Sequence, residues 1–361
     1  MKRTPLALAA LLAIAIDSPA AGQEKKTLAV VVKGLDNPFF TVLGNGCEQW
    51  NKENPDAEYR CLYTGPASSA DETGEIRLVE DLINSGAAAI AISPSNAPAM
   101  ANMLRARKPS MPIMTIDADL PAADRALRKT YLGTNNYDMG VLMAKHLKRL
   151  KPRGGSVCLQ LGNPAADNIN ARAQGFRDTI AGRKGIERLK GEGGWREIQG
   201  CPLFTNDQID LANQQMADTF TANAKLDAFI LVGGWAQFGP QAYAQVTDQV
   251  MPRLKAKELV IVAGDTLPPQ LEALKAGRSH VQIGQRPFEM GYRAPSVMLD
   301  LIEAQAGGTT TAAAGTEEDT STGAGTAGGA KAAKPVPDPL YTGLDECTQE
   351  NVSTCLGTKK K

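Results

Sequence analysis

From Thr27 onward, short apolar runs rich in β-branched residues and alanine alternate with longer segments of helical spacing, and this alternation constrains the fold more than any other feature. Near-continuous apolar runs are strands buried on both faces, as in parallel sheets covered by helices. The repeating unit is βαβ. Strands are expected at Leu28–Val32, Tyr59–Tyr63, Ala88–Ile92, Ile113–Ile116, Val157–Leu161, Ala228–Val232, Leu259–Ala263 and Val281–Ile283. Between them Ile76, Val79, Leu82 and Ile83 form one helical stripe, and Ile169, Ala173, Phe176 and Ile180 another, both read as core packing. With 361 residues, 43% of them hydrophobic, the chain has material for two cores. The fold class is therefore α/β, with two Rossmann-like lobes built on parallel sheets.

Two stretches depart from the alternation. Lys2 and Arg3 precede an apolar run, Pro5 to Ile16, and then the small residues Ser18 to Gly22. That pattern is a cleavable secretory signal peptide over residues 1–21; its apolar run is shorter than the roughly 20 residues a membrane span needs. From Gly307 to Lys334, 23 of 28 residues are Gly, Ala, Thr or Ser, too little apolar surface to order a segment. Residues 307–334 are expected to be a disordered insertion before the 335–361 tail. Pro295 within the helix-like Met290 to Gln305 stretch predicts a kink or a late helix start.

Charge and composition exclude several functions. Lys and Arg number 39 and so do Asp and Glu, so there is no basic excess for nucleic acid or an anionic membrane. Two histidines far apart, His146 and His280, give a multi-histidine metal site or a histidine triad little to work with, and no metal or cofactor is expected. In an exported chain six cysteines read first as disulfides. Six cysteines allow 15 pairings; local spacing favours Cys47–Cys61, Cys158–Cys201 and Cys347–Cys355. A loop of about 15 residues, such as the first would close, is worth about 3 kcal/mol.

The loop after the first strand runs Lys33, Gly34, Leu35, Asp36, Asn37, Pro38, Phe39, Phe40 into a helix. Loops at the carboxyl ends of strands form the ligand crevice of a doubly wound sheet. The Asn37 to Phe40 turn resembles the opening of the ribose-type periplasmic sugar-binding proteins, the type I periplasmic binding proteins of ABC transporters. The likeness recurs in order from Thr27 to about Gln305. Gly86 to Pro94 is similar to the family's third strand and turn, and Thr115 to Asp117 to its fourth. Asn168 through Phe176, with Arg172 followed by Gly175 and Phe176, resembles the second-lobe helix that presents an arginine to sugar hydroxyls. Gly264 with Asp265, and Gly284 to Pro287, resemble the last two ligand strands.

The resemblance implies a first lobe of 27–134 plus 287–306 and a second of 135–286. Three crossings, near Thr134, near Arg286 and in the tail, would join them as a hinge. A sugar presents apolar C–H faces and hydroxyls that both donate and accept, so it needs aromatic plates and polar groups of both kinds. Phe39, Phe40 and Trp235 can supply plates, Asp117 and Asp265 acceptors, Arg172 a donor fork, and Asn37 and Gln285 both. Arg172 is placed in a helical first turn, where the dipole does not favour a base. Where ribose binders carry an arginine after the fourth-strand aspartate this chain has Ala118 and Asp119, and Gly233, Gly234 and Trp235 replace an Asn-Asp pair. Those departures point away from ribose itself. Lys33 can reach the ligand or an acid such as Asp119, while Asn206, with Asp207, opens a helix and serves equally as a cap.

The resemblance thus implies a monomeric, non-enzymatic periplasmic protein that binds a neutral sugar or polyol and delivers it to an ABC permease in the inner membrane. A sensory binding protein for a sugar or a furanosyl signal, presenting its closed form to a chemoreceptor or kinase, is the alternative. A hydrolase using Asp117 and Asp119 has poor geometry, because acids one residue apart on extended backbone point to opposite faces.

Overall fold

The computed structural model describes residues 24–307 and 335–358. The expected leader and the low-complexity stretch beyond Gly307 lie outside them. The first lobe is built from β1 (Lys26–Val31), α1 (Pro38–Glu53), β2 (Tyr59–Thr64), α2 (Glu72–Asn84), β3 (Ala89–Ile92), α3 (Ala97–Arg107), β4 (Ile113–Ile116) and β5 (Tyr131–Gly133). The second contains α4 (Asn136–Leu150), β6 (Gly155–Leu161), α5 (Asp167–Ala181), β7 (Trp195–Glu197), β8 (Leu203–Phe204), α6 (Ile209–Ala222) and β9 (Ala228–Leu231). It continues through α7 (Trp235–Phe238), α8 (Pro240–Asp248), α9 (Met251–Lys255), β10 (Val260–Gly264), α10 (Pro268–Lys275) and β11 (Val281–Gly284). The chain then returns through α11 (Pro287–Ala306) and β12 (Leu340–Tyr341) and ends with β13 (Asp345–Thr348) and α12 (Val352–Thr358).

The first sheet has the order β12-β5-β4-β3-β1-β2, and all its pairs are parallel. The second runs β13-β11-β10-β9-β6-β7, with β8 also on β6; only β13 is antiparallel. In each sheet the strand order reverses around the first strand of the lobe, β1 or β6, and open α/β sheets bind ligands outside such reversal points. The second lobe's core is a single apolar cluster, while the first lobe's is divided into two by its sheet, with Leu28 and Val30 on one face and Ala29 and Val31 on the other. In the first lobe, Leu28, Val30, Leu43 and Met298 are buried together; in the second, Phe176, Phe229, Ile230 and Val262. The α5 stripe is buried as its spacing predicts; of the α2 stripe Val79 is buried, and Ile76, Leu82 and Ile83 are half-buried against the same cluster.

Three segments cross between the sheets. The first follows β5, the second follows β11 and the third joins β12 to β13. They are bonded side by side: Thr134 Oγ1 donates to Gln285 Oε1 at 2.9 Å, the Thr342 amide to the Gly133 carbonyl at 2.9 Å, and Arg286 Nη2 to Asp345 Oδ1 at 3.0 Å. The two tail strands thus extend one sheet each, β12 on β5 and β13 on β11.

The cysteines pair as local spacing favours. Cys47 on α1 bonds Cys61 on β2, Cys158 on β6 bonds Cys201 just before β8, and Cys347 on β13 bonds Cys355 on α12. Two expectations need correction. Helix α11 starts at Pro287 and runs through Pro295, so the proline does not delay it. Strands β5, β7, β12 and β13 are not marked by the sequence, because they lack the continuous apolar run that marks the equally short β3, β4, β9 and β11.

Candidate functional site

The β1–α1 turn delivers the first group of side chains. Asn37 Oδ1 accepts the Phe39 N–H at 2.9 Å and Pro38 occupies the first helical turn, so Asn37 caps α1. Its amide NH2 makes no hydrogen bond within the described protein. The cap holds Phe39 and Phe40 edge to face at the cleft, their centroids 5.3 Å apart. Lys33, buried at the end of the same strand, donates to Asn168 Oδ1 at 3.2 Å and lies 4.0 Å from Asp117 Oδ2.

Three aspartates follow strand ends with left-handed backbone: Asp117 at φ 63°, Asp207 at φ 62° and Asp265 at φ 69°. That conformation costs an ordinary L-residue about 1–2 kcal/mol, and Asp and Asn tolerate it best. Asp117 Oδ2 accepts from Ser93 Oγ at 2.9 Å and Asn168 Nδ2 at 3.4 Å. Asp265 accepts from Gln285 Nε2 at 2.7 Å and from the Gly234 amide at 3.2 Å. Asp207 Oδ1 accepts the Asn163 amide at 3.1 Å. Burial pushes the Asp207 carboxyl above the usual carboxylate range, and the Lys33 ammonium partly draws it back.

Arg172 is placed by helix packing. Helices α4 and α5 approach so closely at Gly140 that a Cβ there would stand 1.9 Å from the Arg172 carbonyl oxygen. Arg172 is 2% exposed; its Nε donates to Asn136 Oδ1 at 2.8 Å and its Nη1 to the Val232 carbonyl at 3.2 Å. Arg172 is the sixth residue of α5, in its second turn and not the first, so burial marks it out in place of an unfavourable dipole.

These side chains meet in one narrow cavity between the sheets. Of the residues singled out in the sequence, Lys33, Asn37, Phe39, Phe40, Asp117, Arg172, Trp235, Asp265 and Gln285 line it. Asn168, Ile169, Asp207 and Phe238 join them without having been singled out. Asn168 sat inside a recognised motif but was not distinguished from its neighbours. Asp207 looked like a helix cap, and nothing local separates it from Asn206.

Two residues are elsewhere. Asn206 is exposed and lines no part of the cavity; the reversal of chain direction at two successive left-handed residues turns Asp207 inward instead. Asp119 is buried in a separate ion pair. Arg128 Nε and Nη2 donate to its two oxygens at 2.9 and 2.7 Å, Thr115 Oγ1 donates at 2.6 Å, and Arg125 lies 3.2 Å away. Lys33 therefore faces Asp117 and not Asp119, and the two acids after β4 do not flank a common space.

The lobes are closed upon each other. The Ala97 amide donates to the Ala165 carbonyl at 3.3 Å, Asn163 Nδ2 donates to Glu72 Oε1, and Arg125 faces Asp167 at 3.8 Å. Phe238, from the second lobe, packs against both apolar cores.

A periplasmic binding protein domain model matches residues 28–306. The chain belongs to the periplasmic binding protein family. The D-ribose/D-allose-binding protein of Pseudomonas aeruginosa is 28% identical over 250 residues, 66% of this chain and 77% of that relative. The ribose import binding protein RbsB of Haemophilus influenzae is 26% identical over 298 residues, 80% of this chain and 89% of its own. A Burkholderia graminis ABC transporter solute-binding protein, solved in complex with D-arabinose, superposes with a TM-score of 0.71 at 24% identity, covering 92% of this chain and 98% of that one. These likenesses identify both sheets and the hinge as those of type I periplasmic binding proteins.

Proposed function

We propose that this binding protein captures a neutral monosaccharide or polyol between its lobes in the periplasm and hands it, as a closed monomer, to an ABC permease in the inner membrane. The observation that carries the proposal is the division of unused hydrogen-bonding capacity in the cleft. On the donor side, the Asn37 amide and Arg172 Nη2 have no partner within the described protein, and Lys33 makes a single hydrogen bond. On the acceptor side, Asp117 Oδ1 and Asp207 Oδ2 are likewise unused. Hydroxyls satisfy both kinds at once, while Phe39, Phe40 and Trp235 offer rings to C–H faces.

Hydrogen bonds to charged groups contribute about 1.5–3 kcal/mol each, so a few of them support micromolar binding, about 8 kcal/mol. Lys33 and Arg172 stand against three buried carboxylates, which leaves no positive excess for an anionic ligand. No step of bond cleavage is assigned, since Asp119 points away from Asp117 into its own ion pair. The relatives named above are ribose or ABC-transporter binding proteins, and the sensory alternative finds no support among them.

The test is mass spectrometry of small molecules released from protein purified without denaturation, followed by melting with a panel of sugars and polyols. A bound sugar that raises the Tm supports the proposal. If no monosaccharide or polyol is released or shifts the melt, the ligand class is wrong.

A further inference from the structure

The benzo edge of the Trp235 indole rests on bare backbone at the ends of two adjacent strands. A Cβ on Gly233, after β9, would stand 2.5 Å from both Cη2 and Cζ3 of the ring. One on Gly162, after β6, would stand 2.5 Å from Cη2, 2.6 Å from Cζ2 and 2.1 Å from Asp207 Oδ1. All are far inside the 3.5–4.0 Å at which carbon atoms pack. Neither glycine has a positive φ, so conformational freedom does not explain them; space does.

Strands β6 and β9 are paired and flank the reversal of strand order in the second sheet. The two glycines therefore underlie the second lobe's half of the cleft: Gly233 lines the cavity, and Gly162 lies behind Trp235 and Asp207. Trp235 lies against both glycines, 6% exposed, with the Asp207 carboxylate beside it.

We infer that Gly162 and Gly233 determine the size of ligand the cleft accepts. They let the indole and the Asp207 carboxylate recline into the second lobe; a methyl on Gly233 drives the indole toward the ligand, and one on Gly162 drives both the indole and the carboxylate. The inference rests on the sugar-binding reading above and deepens it. With the lobes closed the cavity leaves little free space, so a methyl there competes directly with a substituent on the sugar ring. A difference of one methylene in a pocket changes discrimination by about 10–200-fold.

The experiment measures calorimetric affinities of the wild-type protein, Gly162→Ala and Gly233→Ala for a panel of aldopentoses and aldohexoses. In both variants the Kd for aldohexoses should rise about tenfold or more relative to that for aldopentoses. Trp235→Leu, which removes the ring and leaves both glycines, should move the ratio the other way, and it carries the test alone if a glycine variant does not melt cooperatively. Ratios within about threefold of wild type in every folded variant overturn the inference. A crystal structure of unliganded Gly233→Ala tests the seat independently of the ligand: an indole displaced into the cleft supports it, and an indole left in place overturns it. Failure of the wild-type protein to bind any of the sugars would instead overturn the sugar-binding reading.

Discussion

Lys33 and Asn168 meet across the cleft: the ammonium of the first lobe donates to the amide oxygen of the second at 3.2 Å, and the same amide donates to Asp117 at 3.4 Å. One second-lobe side chain thus bonds both members of a first-lobe charge pair. The contact exists only with the lobes shut, so it contributes to closure. Asn168→Ala should weaken binding of the cognate ligand by about tenfold or more, the value of one hydrogen bond to a charged group. Calorimetry gives the affinity, and small-angle scattering of the variant should show a larger fraction of open molecules. Unchanged affinity and scattering would remove Asn168 from the closure contact.

Arg172 is the donor with the least freedom to move, because its backbone abuts Gly140 and two of its nitrogens are already bonded. Arg172→Ala should lower affinity by a hundredfold or more, about 3 kcal/mol, through loss of a preset fork. Far-UV circular dichroism should remain that of the wild type. Undiminished affinity would exclude Arg172 from the site.

Asp119 makes the opposite case. Its pair with Arg128 is buried, and removing one partner of a buried pair costs on the order of 3 kcal/mol. Asp119→Ala should therefore lower the Tm while leaving ligand affinity within about twofold of wild type, since Asp119 does not line the cavity that holds Asp117 and Arg172. Denaturant unfolding and calorimetry on the same sample separate the two effects.

Stability should carry a pH dependence from Glu75. Burial pushes this carboxyl up to about 7 from 4.5; it is 1% exposed, and its Oε2 accepts the Ser95 amide at 2.9 Å. Between these two values the folded protein holds a proton that the unfolded chain has released. The contribution to stability is thus present at about pH 4.5 and is lost as pH rises through about 7. Glu75→Gln keeps the shape without the titration. It should flatten that slope and be more stable than wild type at pH 8, by at most about 3 kcal/mol, as urea melts across pH 5 to 8 would measure.

Much of the fold could be read from the chain because a doubly covered parallel strand needs a continuous apolar run, and such runs mark eight strands without reference to their neighbours. The edge strands β12 and β13 are different in kind. Leu340 and Tyr341 are a strand only because β5 offers a free edge, and that edge lies some two hundred residues away in the chain.

The same division runs through the site. Asn37, Phe39 and Phe40 are legible in the sequence because a cap, a first-turn proline and paired aromatics after a strand are local signals. The pairs Asp117 and Asp119, and Asn206 and Asp207, are alike locally, and only their surroundings distinguish them. Arg128, itself bonded to Asp338 210 residues along the chain, draws Asp119 away from the cleft. The empty side of Gly162 and the Asn163 amide receive Asp207 into it. Sequence alone determined the βαβ repeat, the two cores and the strand-end loops that carry ligand chemistry, since burial and helix capping act over a few residues. Tertiary structure alone decided which acids face the ligand and how deep the cleft is, because those depend on charges and on empty space supplied by distant segments of the chain.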